Sequence, residues 1–199
     1  MRSATDPHAL RRAVAWVATL NLVYFLIEFG VARRIGSVSL FADSIDFLED
    51  TSVNALILMA LGWPARRRAA VGIALAVILL LPGVATVWTA WHKLLLPAAP
   101  APAALTVTGM GALAVNFSCA FMLARVRHAG GSLSRAAYLS ARNDVLANVA
   151  IIAAGGLTLL WRSAWPDLIV GLGILLMNLG AAREVYVAAR QERRSEKGA

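Results

Sequence analysis

Charged residues are scarce in this chain. Asp, Glu, Lys and Arg make up 15% of its 199 residues, whereas soluble domains carry about 25%. The hydrophobic share is 59%, against about 45–50% in soluble domains, and no stretch has the composition of a separate soluble domain. The chain is therefore expected to lie in a membrane. At about 20 residues per crossing, it is long enough for about six helices joined by short loops.

Residues for disulfides and for catalytic motifs are also lacking. The one cysteine, Cys119, excludes an intramolecular disulfide, and we expect it to pack among small residues. Neither an HExxH-like pair nor a GxSxG turn occurs, so the sequence does not predict an enzyme. No tightly bound cofactor is expected. The three histidines fall in predicted loops or at helix ends, where a solvated imidazole is the expected role: His8, His92 and His128.

The distribution of basic residues predicts the topology. The net charge is +8, but the arginines cluster at the ends of apolar runs, which favours helix anchoring over nucleic-acid binding. Asn21 and Glu28 interrupt the first run, so we interpret it as a membrane helix and not as a signal peptide. A basic excess on the side of the termini places both in the cytoplasm and the protein in the cytoplasmic (inner) membrane.

The apolar runs predict an all-α bundle with six spans, roughly at 13–32, 38–61, 69–92, 103–124, 136–160 and 166–187. They form one membrane domain, 1–190, followed by a short basic tail, 191–199. A proline-rich stretch at 97–104 is expected to be an extended connection.

Acidic residues interrupt the second predicted span. An acid at a helix centre costs about 2.5–3.5 kcal/mol on insertion scales, so this segment needs something that offsets its charge. Asp43, Asp46, Asp50 and Asn54 fall within an arc of about 80° on a helix. Such a stripe is expected to face the bundle interior. Glu49 projects further round and is expected to play a supporting or interface role.

The fifth predicted span has a matching pattern. Ser140, Asp144 and Asn148 are spaced i, i+4, i+8 and so share one face. The second span repeats this arrangement with Asp46, Asp50 and Asn54. Two such patterns in one small membrane protein suggest facing halves of a cation site, although Asn54 and Asn148 are also expected to hydrogen-bond between helices.

Together these motifs resemble the cation diffusion facilitator family of divalent-metal/proton exchangers. The residues that carry the resemblance are GSVSLFADSIDFLEDTSVN from Gly36 and SARNDVLANVAIIAAGGL from Ser140. Support comes from Asn21 and Glu28 in the first span and from WPDLIVGLGI at the start of the sixth. The resemblance implies a metal site formed by Asp46, Asp50, Ser140 and Asp144. Further possible ligands are Asp43, Asn143 and Asn148. The resemblance also implies contact with the lipid bilayer, transport of protons, and a homodimer as a possible assembly.

This sequence departs from the family in two ways. Ser140 occupies a position that usually carries His or Asp, and a neutral hydroxyl is a poor ligand for a divalent ion. The chain also ends soon after the sixth predicted span, so the usual cytoplasmic metal-binding domain is expected to be missing. These departures recommend an alternative function, a membrane metal sensor or accessory subunit that does not transport.

The predicted function is efflux of a divalent transition metal in exchange for protons. Burial and like charge both disfavour ionised carboxylates, so the empty site is expected to hold protons, which metal binding expels. Alternating access around a site near the middle of the spans would couple the two ions. An all-oxygen site favours Mn²⁺ or Fe²⁺, with Zn²⁺ and Co²⁺ open as alternatives.

Overall fold

The computed structural model describes residues 7–60, 84, 86–126 and 131–177. At residues 60, 126, 131–140 and 142, only the backbone is described. This part of the chain is all-helical and contains six helices, without strands. They are α1 (Pro7–Ile35), α2 (Val38–Ala60), α3 (86–95), α4 (Pro102–Val126), α5 (Gly131–Trp161) and α6 (Trp165–Met177).

The helices follow the predicted spans with two kinds of difference. The second span, predicted at 38–61, matches α2, whereas α1, α4 and α5 extend beyond their apolar cores at one or both ends. The predicted connection at 97–104 is too long, because α4 begins at Pro102, where a proline fits since that position needs no amide donor. Most of the third predicted span, the second half of the sixth, and the tail at 191–199 lie outside the described residues.

The described helices are apolar outside and polar inside. Three of them, His8–Ile35, Pro102–Arg125 and Asn143–Trp161, are long and apolar enough to cross a membrane. Large apolar side chains such as Leu26, Phe117 and Leu160 are exposed, while acids and amides of α1, α2 and α5 are buried. This pattern is the reverse of a soluble protein and suits a lipid environment.

Glycine and serine set the turn between α1 and α2. Gly36 has a φ of 63°, a left-handed conformation that favours glycine at the end of a helix. Ser37 then donates its amide to the carbonyl of Ala32 at 3.0 Å, which closes α1. The Ser37 hydroxyl accepts the amide of Leu40 at 3.1 Å, the usual contact of a residue that caps a helix N-terminus. Two helices are thereby joined by a single short turn.

Two apolar clusters lie on either side of a polar layer. One contains Val17 of α1, Ile57 of α2 and Ala141 of α5. The other contains Ala32 of α1, Leu40 and Ile45 of α2, and Ala147 of α5. The acids and amides at 21–28, 46–54 and 144 fall between these cluster residues on the same three helices. The candidate site therefore lies near the middle of the described helices.

A buried ion pair fixes the start of α2. Asp167 of α6 accepts the amides of Val38 and Ser39 at 2.9 and 3.1 Å, and the hydroxyls of Ser37 and Ser39 at 2.6 Å each. Its other neighbour is Lys93 of α3, whose Nζ lies 2.8 Å from Oδ2 and also donates to the carbonyl of Gly36. The helix that carries the acidic stripe is thus held at its N-terminus by both α3 and α6.

Candidate metal centre

The acidic stripe of α2 faces the interior, as the sequence predicts. Asp46 and Asp50 are 8% and 6% exposed, and Asp43 and Asn54 are also buried. Glu49 is only half-buried, consistent with its position further round the helix. Burying these carboxylates removes their hydration, which is costly unless another charge or a set of donors replaces it.

Asp144 of α5 joins this stripe from a second helix. It is 9% exposed, and α5 packs against α2 as well as α4. The charge of Asp144 acts on Asp46, and that of Asp50 acts on Asp144, so the three groups lie within electrostatic reach of one another. The other charges acting on Asp46 come from Asp43, Glu49 and Asp50 and are also negative. The described interior at this level is therefore strongly acidic.

Two further predicted ligands, Ser140 and Asn143, also belong to α5. Ser140 lies in α5, but its side chain is outside the described part of the chain. Asn143 is exposed, on the outer side of α5. Among the described side chains, no group of three or more His, Cys, Asp or Glu residues is close enough to hold a metal ion by itself. A complete ligand set thus needs further groups or a closer approach of α2 and α5.

The two asparagines one turn beyond the aspartates behave alike. Asn54 donates its side-chain amide to the carbonyl of Asp50 at 2.7 Å, and Asn148 donates to the carbonyl of Asp144 at the same distance. The expectation of hydrogen bonds between helices is therefore wrong for these donors, because a carbonyl four residues back lies within easy reach on the same helix. The amide oxygens of both residues are buried, and no donor in the described part contacts them.

A polar relay from α1 and α4 supports Asp50. Asn21 of α1 donates to Asp50 Oδ2 at 3.4 Å, and its amide oxygen lies 3.5 Å from the thiol of Cys119 in α4. Cys119 is otherwise part of the apolar cluster with Val17 and Ile57, in agreement with its predicted packing role. The amide of Asn21 thus orients one of the candidate ligands from outside α2.

Sequence reasoning missed Lys93 and Asp167. Asp167 resembles any acid in the first turn of a helix, and the sequence places Lys93 in a loop after the third predicted span. Their partnership spans 74 positions of the chain, and no local spacing reveals it. The available signal was the combination of an acid inside the apolar WPDLIVGLGI segment and a lysine at the same predicted end of the bundle.

These features define a class of protein: a helical membrane protein with an acidic interior suited to cations. A family model described as the cation efflux transmembrane domain matches residues 14–192. Because the match covers most of the chain, the protein belongs to the cation efflux family, and the resemblance inferred from its motifs is confirmed. It is a multi-pass membrane protein of a family that transports metal cations and does not consist of enzymes. A comparison with curated proteins finds no match.

Proposed function

We propose that this protein exports a divalent transition-metal ion in exchange for protons, through a site formed by Asp46, Asp50 and Asp144 with Ser140. The observation that carries the proposal is the convergence of buried carboxylates from α2 and α5. Each acts electrostatically on the others, and Lys93, the one basic side chain buried in the described part, is engaged with Asp167. A divalent cation supplies the missing positive charge.

Proton exchange follows from the same carboxylates. Without metal, burial and mutual repulsion favour the protonated forms. Metal binding requires deprotonated ligands, so a bound ion and the protons exclude each other. If the site opens in turn to either side of the membrane, this exclusion couples metal export to proton import.

Six spans with both termini in the cytoplasm complete the proposed arrangement, in the cytoplasmic membrane. A single membrane domain occupies 1–190, and a basic tail follows at 191–199. The exposed Arg11 and Arg12 at the start of α1 suit the cytoplasmic side, which carries the excess of basic residues. Assembly as a homodimer stays a prediction.

The ligand chemistry favours a hard ion. Carboxylate and hydroxyl oxygens suit Mn²⁺ and Fe²⁺, whereas Zn²⁺ usually binds His or Cys. Transport of Zn²⁺ or Co²⁺ is the alternative, and competition among these metals in one uptake assay discriminates between the two groups.

The proposal is tested in proteoliposomes with an imposed pH gradient. The wild-type protein should show metal-dependent proton flux, and Asp50→Ala and Asp144→Ala should abolish metal binding at this site and the flux. Glu49→Gln is the matched control, because this acid is adjacent to Asp50 and only half-buried, so most activity should remain. Normal transport by both aspartate variants would remove the proposed site.

A second candidate function is metal sensing without transport. It is favoured by the neutral Ser140 and by the lack, among the described side chains, of a complete acidic ligand set. Metal binding without proton flux in the same proteoliposomes would support this function and exclude the exporter.

A further inference from the structure

Glu28 of α1 is a buried acid that the proposed site does not use. We propose that Glu28 and Asp43 form a second position for a divalent metal ion, separate from the one at Asp46, Asp50 and Asp144. This inference rests on the proposed function, since the ion in question is the transported one. It assigns Asp43 to Glu28 and not to the ligand set shared with α5.

The two carboxyl groups face each other across the α1–α2 contact. Both residues are 0% exposed, and their carboxyl groups lie close enough to act directly on each other. No donor from the described residues contacts any of their four carboxyl oxygens. Because nearly all buried polar groups in proteins have a partner, two unsatisfied acids on different helices indicate a missing positive ligand.

The neighbouring groups supply no such charge. The charged residues that act on Glu28 are Asp43 and Asp46, both acidic. Tyr24 is near both acids, but its hydroxyl donates to the carbonyl of Thr108 at 2.6 Å. Lys93 is held by Asp167 and Gly36. Among the described side chains, the pair therefore has no counter-ion.

A divalent ion matches the pair in charge and in ligand type. Two ionised carboxylates carry two negative charges and offer four oxygens, which suit Mn²⁺ and similar ions. A monovalent ion would compensate only one of the two negative charges of the ionised pair.

The position of the pair suggests what it does. Asp43 lies about one helical turn before Asp46, toward the end of α2 that Asp167 holds. In the proposed topology this end faces away from the cytoplasm. An ion that leaves Asp46 and Asp144 in that direction meets Asp43 and Glu28 next, so the second position serves as a station on the exit route.

The test counts bound ions in the purified full-length protein by equilibrium dialysis against Mn²⁺. The wild type should bind a second ion per chain, and Glu28→Gln, which preserves the side-chain shape, should lose one of the two. Asp43→Asn should give the same loss and serves as the second variant if Glu28→Gln is poorly folded by size-exclusion chromatography. Glu49→Gln is the matched control and should retain both ions.

The outcomes separate this inference from the proposed function. Asp144→Asn should lose the ion at the main site and keep the one at Glu28. If Asp144→Asn retains both ions, the main site is contradicted and the second position is not. A wild type that binds one ion, or a Glu28→Gln variant with unchanged stoichiometry, overturns the second position. The second position is also overturned if Glu28→Gln changes only the number of protons released per metal ion. In that case Glu28 and Asp43 bind protons and not a metal ion.

Discussion

Removal of Asp167 should destabilise the protein more than removal of its partner Lys93. Asp167→Ala deletes the acceptor for the amides of Val38 and Ser39 and for the hydroxyls of Ser37 and Ser39. It also leaves the Lys93 ammonium buried, with the Gly36 carbonyl as its remaining partner among the contacts described above. Lys93→Met, by contrast, leaves Asp167 with every donor except one.

The expected losses in the free energy of unfolding follow from this difference in the remaining partners. Breaking a buried ion pair by removing one partner costs about 3–5 kcal/mol when the other charge is left uncompensated, and we expect this loss for Asp167→Ala. For Lys93→Met we expect about 1–3 kcal/mol, the range for a buried polar group that loses one partner. The carboxylate keeps four hydrogen bonds and lies at the positive end of α2.

A double variant tests whether the unpaired Lys93 ammonium causes the larger loss of stability in Asp167→Ala. Lys93→Met combined with Asp167→Ala leaves no unpaired ammonium, so it should be more stable than Asp167→Ala alone. Reversible unfolding in mixed detergent–SDS micelles measures the free energies. Asn143→Ala is the control, because this exposed polar residue should change stability by no more than about 0.5 kcal/mol. Additive losses in the double variant, or a larger loss for Lys93→Met than for Asp167→Ala, would refute the reasoning.

Two further predictions concern the contact of α6 with α2 and the choice of metal. Gly171→Ala should cost about 1–3 kcal/mol, because the added Cβ would lie 2.8 Å from backbone atoms of Val38 and Ser39. Gly173→Ala meets nothing within 4 Å, so it is the matched control in the same unfolding assay, and equal losses in the two variants would contradict a close contact at Gly171. Ser140→His should shift transport toward Zn²⁺ by supplying an imidazole, as measured by uptake from a mixture of Zn²⁺ and Mn²⁺, and an unchanged preference would show that this position does not face the metal.

Local patterns were sufficient to predict α2 and its stripe. The spacing of Asp43, Asp46 and Asp50 places them on one face of a helix whatever lies around them. The shared face follows from the helical period alone, and the structure confirms that this face is buried. Family membership was equally accessible, since the motifs of the second and fifth spans occur within the matched range of 14–192.

Contacts that depend on tertiary packing could not be predicted in this way. The partner of Asp167 is set by how α3 and α6 meet at the start of α2, which no spacing encodes. For Asn54 and Asn148, two satisfactory partners competed, a neighbouring helix and a carbonyl of the same helix. The nearer carbonyl won because it costs no rearrangement of the bundle.

The position of Lys93 bears directly on the cation proposal. Had this lysine reached the acidic stripe, it would have neutralised a carboxylate and reduced the need for an external cation. Instead it is matched to Asp167 at the end of α2, where the carboxylate also satisfies the helix amides. The pair thus fixes the helix without compensating the charge of Asp43, Asp46 or Asp144. The structural carboxylate thus comes from α6, whereas the proposed cation ligands belong to α2 and α5, so Lys93 and the proposed cation do not compete for the same acid.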